Sequence, residues 1–294
     1  MIHYDPHNWH SHLLDIRGSM LREIFARVML CVLFSAVVTV IHKWLWPFDV
    51  SLAAHTIVGL ALGLLLVFRT NSSYDRFWEG RKMWGGIVNE TRNLTRGAAV
   101  FVKDDPVRVG AVVDWTVAFA YASMYSLRDG RGLGPVAARL PQSEIIHVLE
   151  AKHVPLAVAV RISDELRAAR DGGVISDYVM MTLDQNVQLL VDYLGACERI
   201  RRTPLPFAYM VHLRRALIMY CYTLPFALVS SYGWLTIVAT LFVTYTFFGV
   251  EEIGVEIEDP FGSDSNDLPL EDFCHTIERN LQEWIPPQLA TESV

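Results

Sequence analysis

Cysteine is scarce in this chain. There are four in 294 residues, Cys31, Cys197, Cys221 and Cys274, and none forms a C-x-x-C pair. That spacing excludes a zinc ribbon and a disulfide framework, and leaves reduced thiols as the expectation. Proline is absent between Pro47 and Pro106, so nothing in that stretch forces a helix to end. Basic charge is not in excess: the net charge is −7 and the pI about 5.8, which argues against nucleic acid as a partner. No nucleophile elbow, P-loop, H-E-x-x-H or dinucleotide fingerprint occurs, so no enzymatic reaction is expected. The opening MIHYDPHNWHSHLLDIRGS lacks the basic start, apolar centre and cleavage site of a signal peptide.

What the chain does have is apolar runs. It is 52% hydrophobic with a mean hydropathy of +0.27, too apolar for an ordinary soluble protein and too polar to lie wholly in lipid. Four segments approach the roughly 20 apolar residues of a membrane span. They lie at residues 28–46, 52–68, 207–229 and 234–250. The third is the weakest, since His212, Arg214 and Arg215 fall in its first half. The first two segments form a hairpin through WPFDVS, and the last two form one through SSYG.

Arginines flank the opposite ends of these spans. Arg17, Arg22 and Arg27 precede the first, Arg69, Arg76, Arg81 and Lys82 follow the second, and Arg199, Arg201 and Arg202 precede the third. The short hairpin connections carry no arginine. The positive-inside rule then puts both termini and the middle region in the cytoplasm, with Trp44, Trp46 and Trp234 as anchors at the far interface. The expected organisation is a cytosolic segment 1–27, a membrane hairpin 28–68, a helical cytosolic domain 69–206, a second hairpin 207–250 and a cytosolic tail 251–294, irregular after Gly262. In the middle region HVLEAK, AVAVRISDELRAAR and DYVMMTLDQNVQLLVDYLGACERIRR have helical periodicity. Breaks are expected at Gly130–Pro135 and at Gly172-Gly173.

The second span does not end where the lipid should. LAAHTIVGLALGLLLVF passes directly into RTNSSYDRFWEGRKMW, which predicts one helix running from lipid into water. Leu60, Leu64 and Phe68 recur every four residues on one face, while Gly59 and Gly63 form a G-x-x-x-G on a neighbouring face. Periodicity alone favours lipid-facing leucines plus a packing face. The sharper reading is an apolar constriction built from several copies of the helix, able to gate by dewetting. Downward, the same face turns to Asn71, Ser72, Asp75 and Glu79, a change that a lipid-facing stripe does not require.

Two other clusters invite a metal. Asp264 and Asp267 in GSDSNDLP offer hard oxygen ligands, although their spacing is not that of an EF-hand and a solvated acidic loop is the simpler reading. His3, His7, His10 and His12 lack the cysteine or carboxylate partners that would complete a site. Pro260-Phe261-Gly262 reads as a turn with one aromatic anchor.

The motifs Arg17-Gly18-Ser19, GLALGLLLVFRTNSSYDRFWEGRKMWG, ACERIRRTPLPFAY and DPFGSDSNDLP together resemble the bestrophin family, in its prokaryotic branch. The resemblance implies an all-α membrane protein: a homopentameric ion channel with four transmembrane helices per subunit and a cytosolic helical domain around one axial pore. It implies a neck at Leu60, Leu64 and Phe68, a polar lining below it, and a second aperture at Ile175, Tyr178 or Met181. It implies residence in the bacterial inner membrane. The animal members' dense acidic calcium clasp is reduced here to Asp264 and Asp267, so no cofactor is expected and calcium dependence is not. Bacterial relatives favour monovalent cations, and Asp75 and Glu79 agree with that. Passive conduction of monovalent cations is the expectation, with an anion channel or a non-conducting membrane scaffold or receptor as alternatives.

Overall fold

The computed structural model describes residues 20–285, which form helices and no strand. Arg17-Gly18-Ser19 and the four N-terminal histidines lie outside the described residues. Two compact units result. Of the described residues, the first takes in 20–77, Pro204–Asp259 and Asp264–Asn266; the second takes Trp78–Thr203, Pro260–Ser263 and 267–285.

In the first unit, α1 spans Leu21–Trp44. It begins seven residues before the apolar run at Val28, so Arg22 and Arg27 are part of the helix. α2 spans Leu52–Phe101, 50 residues without interruption, as the absence of proline predicts. Its upper part belongs to the first unit. α7 (Phe207–Tyr232) carries Pro225 inside it and ends at Gly233, whose φ of +52° lies in the left-handed region that favours glycine. α8 spans Leu235–Glu256. Ile24, Val28 and Cys31 of α1, Leu62 and Leu66 of α2, Leu213, Leu217 and Cys221 of α7 and Phe248 of α8 form one apolar core.

α1 and α8 meet along a hydroxyl seam. Thr236, Thr240 and Thr244 recur every four residues, all buried, and Ser35 Oγ lies 3.1 Å from Thr240 Oγ1. Small hydroxylated residues let helices approach closely where lipid supplies no hydrophobic drive. Among the described residues three helices, α1, α2 and α8, are long and apolar enough to cross a membrane. α7 is not one of them; its early charges dilute its hydropathy.

The second unit is built around α3 (Pro106–Leu127), of whose 22 residues fifteen are buried. Asp105 caps it by accepting from the Arg108 amide at 3.2 Å, with Pro106 in the first turn. A 3-10 turn at Pro135–Arg139 follows the glycine-rich break, and then α4 (Gln142–Glu150). α5 (Val154–Asp171) starts where His153 accepts from the Leu156 amide at 3.1 Å. It ends at the expected Gly172-Gly173 break. α6 (Asp177–Arg202) carries Leu183, Val187, Leu190, Leu194, Cys197 and Ile200 on its buried face. The lower part of α2 approaches α6 through glycines. A Cβ on Gly86 would lie 2.6 Å from the Tyr193 ring, and one on Gly97 would lie 2.5 Å from Leu183.

The tail expectation requires correction. Residues after Gly262 are not irregular throughout, because α9 spans Leu270–Gln282. Its Leu270, Cys274, Ile277 and Leu281 are buried at i, i+4, i+7 and i+11, a helical stripe that the flanking acids and prolines hid. α9 packs on α3. Phe261 is fully buried, and Pro260 and Phe261 press on Gly80, where a Cβ would fall 2.9 Å from the proline ring. The expected aromatic anchor is therefore present.

Candidate pore-lining face

Leu60, Leu64 and Phe68 are 78%, 56% and 56% exposed in the protomer. The alternate positions Leu62 and Leu66 are buried in the core of the first unit. The four-residue stripe is thus the side of α2 that its own subunit leaves uncovered. Asn71 and Asp75 continue that side exposed, and Ser72 and Glu79 are partly buried.

The cations near this face are turned away from it. Arg69 is 0% exposed. Its Nη2 donates to Glu258 Oε2 at 2.7 Å, and Nη1 donates to the Ser73 hydroxyl. Arg76 Nε donates to the Glu258 carbonyl at 3.1 Å, and the Leu205 amide donates to Glu258 Oε1 at 2.9 Å. Glu258 therefore holds two segments, α2 and the turn at Leu205, around one carboxylate and its backbone. In the sequence Arg69 and Arg76 stand as charges following the second span, on faces near the stripe. An arginine adjoining Phe68 was the available signal, but its partner Glu258 lies far along the chain.

Glu79 is not an uncompensated acid either, since Arg199 Nη2 donates to its Oε1 at 2.9 Å. Beyond it, Lys82, Asn89 and Arg96 follow Asp75 at seven-residue steps on α2, and all three are exposed. The polar part of the face carries one open carboxylate and two exposed cations. This reverses the charge balance read from Asp75 and Glu79 alone.

The three aperture candidates separate. Ile175 is 7% exposed and packs within its own unit, so it offers no surface to a pathway. Tyr178 is 84% exposed and Met181 65%, both near the start of α6.

The chain matches the model of the bacterial and fungal bestrophin proteins over residues 1–283. It belongs to the bestrophin family. A voltage-dependent anion channel-forming protein of Nostoc is 41% identical over 281 residues, covering 94% of this chain and 91% of its own. One from Synechocystis is 40% identical over 288 residues, 96% of this chain and 94% of its own. The solved structure of a bacterial bestrophin homologue from Klebsiella pneumoniae superposes with a TM-score of 0.85 at 31% identity, covering 89% of this chain and 98% of that one.

The two acids of the GSDSNDLP stretch differ in exposure. Asp264 is exposed, Asp267 is buried, and the Asn266 amide donates to Glu256 Oε2 at 2.5 Å. Among the described residues no group of three or more histidine, cysteine or acidic side chains could hold a metal. The motif's buried groups hold the fold instead. Arg128 Nε donates to the Phe261 carbonyl at 3.1 Å, and its guanidinium pairs with Glu271, holding that carboxyl below the usual glutamate range. Burial pushes the Cys197 thiol of the ACERI segment up to about 12, and raises Cys274 as well, so both are inert thiols.

Proposed function

We propose that this bestrophin is the subunit of a passive ion channel of the bacterial inner membrane, with α2 lining an axial pore. The observation that carries the reading is one stripe on one helix. Leu60, Leu64 and Phe68 stand exposed on a helix that packs into its own unit through Leu62 and Leu66, and the stripe turns polar without a break in the helix. In a ring of copies these side chains form the neck, Asn71, Ser72, Asp75 and Glu79 lie on or beside its polar continuation, and Tyr178 or Met181 supplies a lower aperture. Five copies, both termini in the cytoplasm, and α7 as a fourth span are part of the proposal. Pairing of Arg214 with Glu251 supports that span by offsetting its charge near one end.

Monovalent-cation selectivity finds no support among the curated relatives, which are named anion channel-forming proteins. The anion alternative fits better, and exposed Lys82 and Arg96 on the α2 face agree with it. We take anions as the conducted species. Wetting of the neck controls flow, and charge along the polar lining biases the sign of the ion. Calcium is not required.

The test is the reversal potential of the purified protein in planar bilayers under a sodium chloride gradient, with and without calcium. A potential near the chloride equilibrium value, unchanged by calcium, is expected. A potential near the sodium value would return the cation reading, and a folded oligomer without current would leave a scaffold or receptor.

A further inference from the structure

A cleft of about 460 Å³ opens in the first unit between α1, α7 and α8. Its long wall is apolar, with Leu30, Leu217, Ile218 and Phe248. One end is charged. Arg27 Nη1 donates to Glu252 Oε2 at 2.6 Å, and Arg214 Nε donates to Glu251 Oε1 at 2.8 Å. The two pairs are asymmetric in exposure: the arginine side chains are 50% and 51% exposed, the carboxylates 11% and 3%. A cluster with no net charge therefore shows a cationic surface. Each of these bonds uses one guanidinium nitrogen, and a guanidinium carries five N–H donors, so both arginines keep donors for an outside acceptor.

The depth of the charges matters. Arg27 and Arg214 sit six and seven residues inside their helices, about 10 Å along the axis. Arg27 directly precedes the span expected at Val28, and Glu251 directly follows the one ending at Val250, so both pairs lie at the edge of the spans, where headgroup gives way to acyl chain. An occupant must place an anionic head at the arginines and an apolar chain against Leu30 and Ile218. A soluble anion would leave the apolar wall uncovered, and a zwitterionic lipid would set a choline against two cations.

We propose that this cleft is a binding site for one anionic phospholipid, its phosphate on Arg27 and Arg214 and an acyl chain along the wall of α1 and α7. The lipid bridges helices from the start and the end of the membrane unit and keeps the two buried carboxylates screened from water. The proposal rests on the membrane reading of α1, α7 and α8, and is independent of ion selectivity and of conduction.

The test uses the full chain purified in detergent, with lipid binding read by native mass spectrometry. Dioleoyl phosphatidylglycerol, dioleoyl phosphatidylcholine and glycerol 3-phosphate are compared. Phosphatidylglycerol is expected to bind about tenfold more tightly than phosphatidylcholine, as two accessible arginines near a headgroup would give, and glycerol 3-phosphate not at all. Arg27→Gln with Arg214→Gln removes the preference. Because that variant strips two buried carboxylates of their partners, Ile218→Trp is run beside it. Ile218 is half-exposed, and a tryptophan there fills the cleft without touching an ion pair. It is expected to weaken phosphatidylglycerol binding about tenfold while the oligomer stays intact. Equal binding of the two lipids overturns the proposal. So does equal binding of glycerol 3-phosphate, or undiminished binding by folded Ile218→Trp. A loss of oligomer in Ile218→Trp without any lipid effect assigns the cleft to a second copy of the chain and overturns it too. A wild-type chain recovered from cells without membranes or detergent would instead refute the membrane reading itself.

Discussion

The two units solve opposite problems with similar helices. In the second, α3 buries fifteen of its 22 residues, and charges are left to the outside, where arginine–carboxylate pairs such as Arg201–Asp129 stand in solvent. In the first, α1, α2 and α8 are at least as apolar, yet only 17–33% of their most apolar windows is buried. Leu30, Leu33, Leu60, Leu64 and Leu235 face outward, while Arg69, Glu251, Ser35 and Thr240 are inside. Apolarity alone therefore does not say where a helix sits. What separates the units is which residues each can leave uncovered, and that depends on the solvent around it.

The largest effect that would sharpen this contrast lies at Arg69. Arg69→Leu leaves Glu258 partly buried without its cation and is expected to cost about 3–5 kcal/mol, with Glu258→Leu added to it recovering part of the loss. Thermal unfolding in detergent reads both, and a neutral single variant would show that the first unit does not depend on its inward charge. In the second unit the corresponding sensitivity is steric. Gly86→Ala drives a methyl into the Tyr193 ring and is expected to cost about 1–3 kcal/mol. The same melting experiment measures it.

The outward leucines should behave as neither core nor structural surface. Replacing Leu60, Leu64 and Phe68 together with alanine is expected to leave assembly intact and raise ion flux in liposomes about tenfold, equivalent to roughly 1.4 kcal/mol of barrier. Unchanged flux from well-folded protein would return the stripe to lipid. The hydroxyl seam predicts a smaller effect, since Thr240→Val should cost about 0.6 kcal/mol in the membrane unit. The smallest concerns pH in the second unit. The Arg128–Glu271 pair depresses the folded glutamate, so its contribution is present above the ordinary glutamate value of about 4.3 and fades as pH falls through the depressed one. Amide exchange at the start of α9 should quicken over that window and lose its pH dependence in Arg128→Gln.

Much of the fold could be read from local pattern. The uninterrupted α2, the apolar helices α1 and α8, the helices at residues 142–150, 154–171 and 177–202, and the break at Gly172-Gly173 follow from periodicity and from proline and glycine placement. The centre of the second unit did not announce itself. α3 is apolar on every side, so it lacks the amphipathic stripe that marks a surface helix, and only its burial reveals its place. α9 was obscured by the acidic, proline-bearing stretch before it. At the site, the α2 stripe was visible because i, i+4 spacing is local. Whether it met lipid, core or a neighbouring subunit was not.

The sequence by itself determined that α2 would be one long helix, that its Leu60–Phe68 face would turn polar at Asn71, and that arginines would crowd one end of the spans. These follow from side chains a few residues apart. Only the tertiary structure decided that Arg69 and Arg76 turn to Glu258, that Glu79 is offset by Arg199, and that Ile175 is buried while Tyr178 is not. Each of these depends on partners that chain distance separates and packing brings together. Electrostatics is felt across a few ångströms of space, whatever the separation along the chain, and for that reason the sign of the charge along the candidate pore could not be read from the order of the residues.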